Sequence, residues 1–231
     1  MWLQQKKSVL RAALHAVLPV SKTHHRHILH FELQVPPTKV LSAKPPQRGN
    51  KDQEAKLFQK WLGKVDVRYN LVIYSDGSQI RYHDQGVTCT GWGYTIRKGG
   101  TTHEISQGKG RLRQADVVGA EVYGALMGLS AARAVGRHKR LFVCLDSTSV
   151  VDKLNETRLE ASSNIFRCFK ELAATHEPGV TVKWIPGHKD IKGNKVANRL
   201  AKDSAKMMLG TANPPTSMRD DSSTSKRRKN F

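Results

Sequence analysis

The chain has 231 residues, room for one domain of ordinary size with flanks or two very small ones. Apolar residues make up 38%, enough for a packed core, and no run approaches the ~20 apolar residues that cross a bilayer, so no membrane partner is expected. The 39 Lys and Arg outnumber the 19 Asp and Glu, for a formal net charge of +20.

That excess runs the whole length. Residues 1–64 carry 12 basic and 3 acidic side chains, residues 65–209 carry 22 and 14, and residues 210–231 carry 5 and 2. A merely solubilising surface would rarely be so one-sided. A polyanion is the expected partner, nucleic acid above all, with an affinity that falls as salt rises. Cys89, Cys144 and Cys168 have no metal-ligand spacing and leave an odd thiol, which suits a reducing compartment and small core residues.

Residues 1–64 read as a basic flank and linker. The first 30 residues hold no acid, and Arg11, His15 and Pro19 break the apolar run. This argues against a secretory signal and leaves a mitochondrial transit peptide or the remnant of a larger preceding protein. His24, His25, His27 and His30 lack a second ligand cluster and read as a solvated basic patch. Pro36, Pro37, Pro45 and Pro46 mark a loose linker. Over 52–62 the spacing of Ala55, Phe58 and Leu62 predicts a short amphipathic helix.

Residues 65–209 read as one domain. An apolar strand at 70–75 is closed by Asp76-Gly77-Ser78, and alternating strands at 90–96 and 101–107 flank a Lys98-Gly99-Gly100 hairpin. A long helix is predicted at 114–135, a strand at 140–145 ending at Asp146, and short and longer helices at 148–155 and 162–176. Ile165, Phe166, Phe169 and Leu172 form the buried face of the longer one. A fifth strand at 180–185 precedes a Pro186-Gly187 turn and a last helix from about 195 to 208, with Asn194 placed to cap it. Three hairpin-linked strands followed by alternating β and α predict an α/β fold: a mixed five-stranded sheet, three strands antiparallel then two parallel, flanked by helices. Leu209 closes the domain, and residues 210–231 have the composition of a disordered basic tail.

Asp76 and Asp146 each end an apolar run of the kind that forms central, doubly covered strands. If the two strands run parallel, both acids meet at one sheet edge. Taken singly, either is more readily an ordinary turn residue than a catalyst. Glu121 shifts that balance. Its i−3, i+4 and i+8 neighbours are Val118, Ala125 and Leu129, beside Gly124 and Gly128, which places a carboxylate on the sheet-facing stripe of its helix. Such a group costs several kcal/mol unless a Lys, an Arg or a cation compensates it. Three converging acids repel one another, and a divalent ion relieves that most directly. Carboxylate oxygens without thiolates favour Mg²⁺ or Mn²⁺, and two such ions ~4 Å apart can drive in-line displacement at phosphorus.

Tyr74-Ser75-Asp76-Gly77-Ser78, Ala120-Glu121, Leu145-Asp146-Ser147 and Trp184-Ile185-Pro186-Gly187-His188-Lys189-Asp190-Ile191-Lys192-Gly193-Asn194, followed by Ala197-Asn198, resemble type 1 ribonuclease H from about Tyr69 to Ala205. The likeness is strongest to the RNase H domain of non-LTR (LINE-type) retrotransposon polyproteins. It implies an RNase H-like fold and an endonuclease that cuts the RNA strand of RNA–DNA hybrids with two Mg²⁺ or Mn²⁺ ions. By position, Asp76, Glu121 and Asp146 match three of the family's four metal-binding carboxylates, and His188 matches its mobile histidine. Gly77, Ser78, Ser147, Lys189 and Asn194 are the matching candidates for nucleic-acid contact. The resemblance further implies an intracellular protein, a monomer or formerly part of a reverse-transcriptase polyprotein.

Asn198 stands where the family has its fourth acid, and keeps a carbonyl oxygen without the charge. Asp203 lies about 140° around the helix from it and cannot substitute. Asp190 occupies a position usually small in the family. No inserted basic handle lies between Asp146 and His188, so hybrid binding would rest on scattered clusters: Lys109, Arg111 and Arg113; Arg137, Lys139 and Arg140; Lys189, Lys192, Lys195 and Arg199. The competing expectation is a degenerate nucleic-acid-binding remnant without catalysis. A DNA-cutting transposase of the same fold fits less well, because its acid spacing differs. Lys226-Arg227-Arg228-Lys229 is a weak nuclear-import pattern.

Overall fold

The computed structural model describes residues 50–83, 86–112, 115–136, 139–156 and 164–206. The histidine group at 24–30, the prolines of the linker, Arg113, Arg137, Leu209 and the basic tail lie outside the described residues.

The elements follow in the order α1 (Lys51–Leu62), β1 (Asn70–Tyr82), β2 (Val87–Lys98), β3 (Glu104–Leu112), α2 (Val117–Val135), β4 (Arg140–Leu145), α3 (Thr148–Asn155), α4 (Asn164–Ala174), β5 (Val180–Trp184) and α5 (Lys192–Lys206). The strands form one sheet in the order β3-β2-β1-β4-β5. β1 pairs antiparallel with β2 and parallel with β4, β2 pairs antiparallel with β3, and β4 pairs parallel with β5. This is the mixed sheet read from the order of strands and helices.

Alternation along β1 divides the core in two. Leu71 and Ile73 join Leu141, Val143 and Val182 against α2, α3 and α4. Val72 and Tyr74 join Cys144, Ile185 and Ile191 on the opposite face, which α5 and α1 cover. On the first face α2 approaches closely because it presents glycines. A Cβ at Gly124 would lie 2.5 Å from Ser75 Oγ, and one at Gly128 2.7 Å from Ile73 Cγ2. Asp116 caps α2 by accepting from the Gly119 N–H at 2.6 Å. On the second face the small residue is in the sheet: a Cβ at Gly93 would lie 2.6 Å from Ala197 O of α5.

α1 starts at an Asn50 cap and buries Phe58. The Phe58 ring meets Tyr74 edge-on at 6.4 Å, and Trp61 meets Phe142 at 5.1 Å with Lys183 Nζ over its face. Burying a ring like Phe58 contributes about 1.5–3 kcal/mol. The helix read as part of the flank therefore packs directly on the sheet.

Three expectations are corrected. β1 does not close at Asp76-Gly77-Ser78 but runs on to Tyr82, because its ladder with β2 continues through Asp76↔Gly93 and Ser78↔Gly91. β3 lies later than 101–107, at Glu104–Leu112. Gly108 and Gly110 weaken the strand signal there, yet their missing side chains make room for the rings of Tyr94 and Trp92. Finally, α5 begins at Lys192, so Asn194, expected to cap the last helix, lies inside its first turn.

Candidate active site

The parallel register of β1 with β4 stops at Tyr74↔Cys144, and β4 ends at Leu145. Past that point β1 has no ladder partner on the β4 side. A notch opens at the carboxyl end of the parallel pair, the place where open α/β sheets form sites.

Asp76 sits in this stretch of β1 and is 8% exposed. Alternation puts it on the α5 face with Val72 and Tyr74. Asp146 follows β4 directly. Glu121, 3% exposed, comes from α2 on the other face, with its carbonyl accepting from Ser75 Oγ at 2.9 Å. The notch lets carboxylates from both faces share one space. Glu121 Oε1 accepts from the Ser147 N–H at 3.2 Å, and Asp146 Oδ2 accepts from Asn194 Nδ2 at 2.9 Å. Trp184 Nε1 donates to the Asp146 carbonyl at 3.1 Å. A Cβ at Gly187 would come within 2.8 Å of Asp146 Oδ2, so any side chain there would displace the carboxylate.

Burial pushes the Asp76 carboxyl up to about 7, and the Asp146 charge adds to it; the Gly77 N–H and Lys202 pull the other way. Burial also raises Glu121 well above the ordinary carboxylate range, followed by the charges of Asp146 and Asp76. Among the described residues none of the three forms an ion pair. Carboxyl groups are thus gathered in a low-dielectric notch without a protein cation bound to them. Its ligands are hard oxygens. That donor set fits Mg²⁺ or Mn²⁺ and not zinc. The arrangement is open, however. Among the described residues no three His, Cys, Asp or Glu side chains close into a cluster that could hold an ion as they stand. Asp146 and Glu121 are turned onto Asn194 and Ser147 instead.

His188 is exposed on the loop between β5 and α5, with φ +61°, and Asp190 has φ +55°. Non-glycine residues in this left-handed region cost of order 1–3 kcal/mol and collect at functional sites. His188, Lys189, Asn194 and Asn198 line one shallow pocket of about 260 Å³. Asn198 is half-buried. Asp190 pairs with Lys195, and Asp203 with Lys109 at 3.8 Å, so both nearby acids are engaged by lysines.

The RNase H family model matches residues 68–206. The chain belongs to the RNase H family. No curated protein sequence matches it. Among solved structures, the foamy viral protease–reverse transcriptase in complex with double-stranded DNA is 17% identical, with a TM-score of 0.51 over 62% of this chain and 97% of that one. The same viral protein in complex with an RNA/DNA hybrid is 15% identical, TM-score 0.52, over 76% of this chain and 23% of that one. The N-terminal RNase H domain of a Mycobacterium tuberculosis protein is 22% identical, TM-score 0.48, over 59% and 98%. At these identities the likeness speaks for the fold alone.

In this RNase H domain the remaining predicted site residues fall around the notch in differing roles. Gly77 lets α2 pack onto β1: a Cβ there would lie 2.5 Å from Val117 O. Ser78 is partly exposed one residue further on. Ser147 caps α3, its Oγ accepting from the Val150 N–H at 3.3 Å. Lys189 is held by Asp52 of α1 at 2.8 Å. Asn194 is 5% exposed and anchors Asp146, while its Oδ1 is buried without a partner. The sequence reading missed three contributors: Asn194 as the carboxylate's anchor, Gly187 as its clearance, and Lys202 as a nearby charge.

Proposed function

We propose that this domain hydrolyses the RNA strand of RNA–DNA hybrids with two divalent ions, Mg²⁺ or Mn²⁺, held by Asp76, Glu121, Asp146 and the side-chain carbonyl of Asn198. The observation that carries the reading is that buried Asp76 of β1 and Glu121 of α2 lie within reach of the charge of half-buried Asp146 at the end of β4, with no ion pair to any of the three. Family membership supports the reaction class, and a foamy viral protein of like fold binds an RNA/DNA hybrid. When bound, such ions activate a water and stabilise the leaving oxygen of an in-line displacement. In the metal-free state Asn194 donates to Asp146 and the Ser147 N–H donates to Glu121, while Gly187 leaves the Asp146 carboxylate room to turn toward an ion. His188, exposed at the mouth, moves a proton at the departing oxygen through a ring nitrogen. Hybrid recognition relies on phosphate and 2′-hydroxyl contacts, with Gly77, Ser78, Ser147, Lys189 and Asn194 nearest the notch. On this reading the domain is akin to those of LINE-type retrotransposons, and acts inside the cell as a monomer or as a former part of a reverse-transcriptase polyprotein.

Purified full-length chain incubated with a labelled hybrid and Mg²⁺ or Mn²⁺ is expected to release short RNA fragments, and Asp76→Asn to abolish this. No cleavage with either ion at low salt would remove the proposal. Asn198 favours a second reading, a nucleic-acid-binding remnant without turnover, for which salt-sensitive hybrid binding would survive the failure of cleavage.

A further inference from the structure

α5 has two unlike faces. Ala197, Leu200, Ala201, Ser204 and Ala205 are buried against the sheet. Lys192, Lys195, Arg199, Lys202 and Lys206 recur at spacings of three and four, which places them on one ridge, and all five are exposed. From first to last the ridge rises about 21 Å along the helix. Lys195 is paired with Asp190. Lys192, Arg199, Lys202 and Lys206 have no carboxylate partner among the described residues. The one acid within α5 itself, Asp203, is matched by Lys109 from β3.

The ridge is continuous with the notch. Asn194, which holds Asp146, and Asn198 line the pocket beneath His188. Asn198 also opens a second hollow of about 400 Å³ whose walls are Lys195, Arg199, Lys202, Asp203 and Lys206. Lys202 is near enough for its charge to reach Asp76. A row of unneutralised cations is ordinarily a solvated face. This one differs because it runs beside the acids, joined to them through Asn194 and within reach of Lys202, in a chain lacking a basic insert between Asp146 and His188.

We propose that the α5 ridge is a phosphate track that holds the nucleic-acid duplex beyond the point of cleavage, through Arg199, Lys202 and Lys206. It rests on the nuclease reading only for the identity of the duplex. Contacts of this kind neutralise backbone charge and read neither base nor sugar. They serve an RNA–DNA hybrid and a DNA duplex alike.

The test is the salt dependence of binding, measured by fluorescence anisotropy in an Asp76→Asn background so that nothing is cut. The triple variant Arg199→Gln, Lys202→Gln, Lys206→Gln is compared with Lys56→Gln, Lys60→Gln, Lys64→Gln, which removes the same charge from exposed positions on and just after α1. The ridge triple is expected to reduce the slope of log affinity against log salt by about 2 to 3, equally for hybrid and DNA duplex. The α1 triple is expected to leave it nearly unchanged. Equal slopes in the two triples would overturn the track, as would a loss confined to the hybrid. The two proposals fail separately: binding with the expected slopes but no cleavage by the unmodified chain sinks the enzyme and keeps the track. Cleavage with unaltered slopes does the reverse.

Discussion

Asn198 is half-buried on α5 and lines both the hollow under His188 and the one walled by lysines, and in the proposed reaction it offers an oxygen in place of a charge. Asn198→Asp should lower the Mg²⁺ concentration needed for half-maximal cleavage by about tenfold, the lower end of what outer-sphere changes alone produce at metal sites. A titration of rate against Mg²⁺ in both proteins measures it, and identical curves would remove Asn198 from the metal site. Asp76 makes a second prediction that needs no catalysis. Its folded carboxyl holds a proton up to about 7, whereas the unfolded one releases it near 3.8. Between those values the folded state binds more protons, so metal-free stability must fall as pH rises through that window, by up to about 4 kcal/mol from this group. Glu121 acts in the same direction. Thermal melts from pH 4 to above 7 should show the decline, and Mg²⁺ should restore stability above the window but hardly below it. All three acids could be suspected from the sequence, Asp76 and Asp146 because each ends an apolar run and Glu121 because it interrupts an apolar stripe. Asn194 could not, because its buried contact with Asp146 depends on where α5 starts, and a one-turn difference converts a cap into an anchor.

Elements were legible where periodicity was strong and blurred where glycine carried the packing. β4 and α3 fall where their apolar patterns put them. β1 and β3 do not, since Gly77, Gly108 and Gly110 read as punctuation yet serve as clearance for α2, Tyr94 and Trp92. The same clearance makes Gly93→Ala costly. Its methyl would meet the α5 backbone, which cannot yield as a side-chain tip could, and a loss of about 1–3 kcal/mol is expected from urea unfolding. Phe58→Ala removes a ring that is 3% exposed and should cost about 3–5 kcal/mol, seen as a lower midpoint with an unchanged slope. A surface location for Phe58 would show instead as a change too small to measure.

Taken whole, the protein sets a strongly acidic notch within a chain of net charge +20. The two signs have separate tasks on this reading, since cations gather the backbone and anions gather the metal. Affinity for hybrids of unrelated sequence should therefore agree within a few-fold at a given salt, which competition with permuted hybrids can check. Strong preference for one sequence would mean that bases are being read. The family match begins at Arg68, after α1, yet α1 roofs Tyr74, Phe142 and Ile185. A fragment trimmed to the homologous boundary would bare that greasy floor and tend to clump. Among the described residues, packing onto the sheet starts one helix before kinship does.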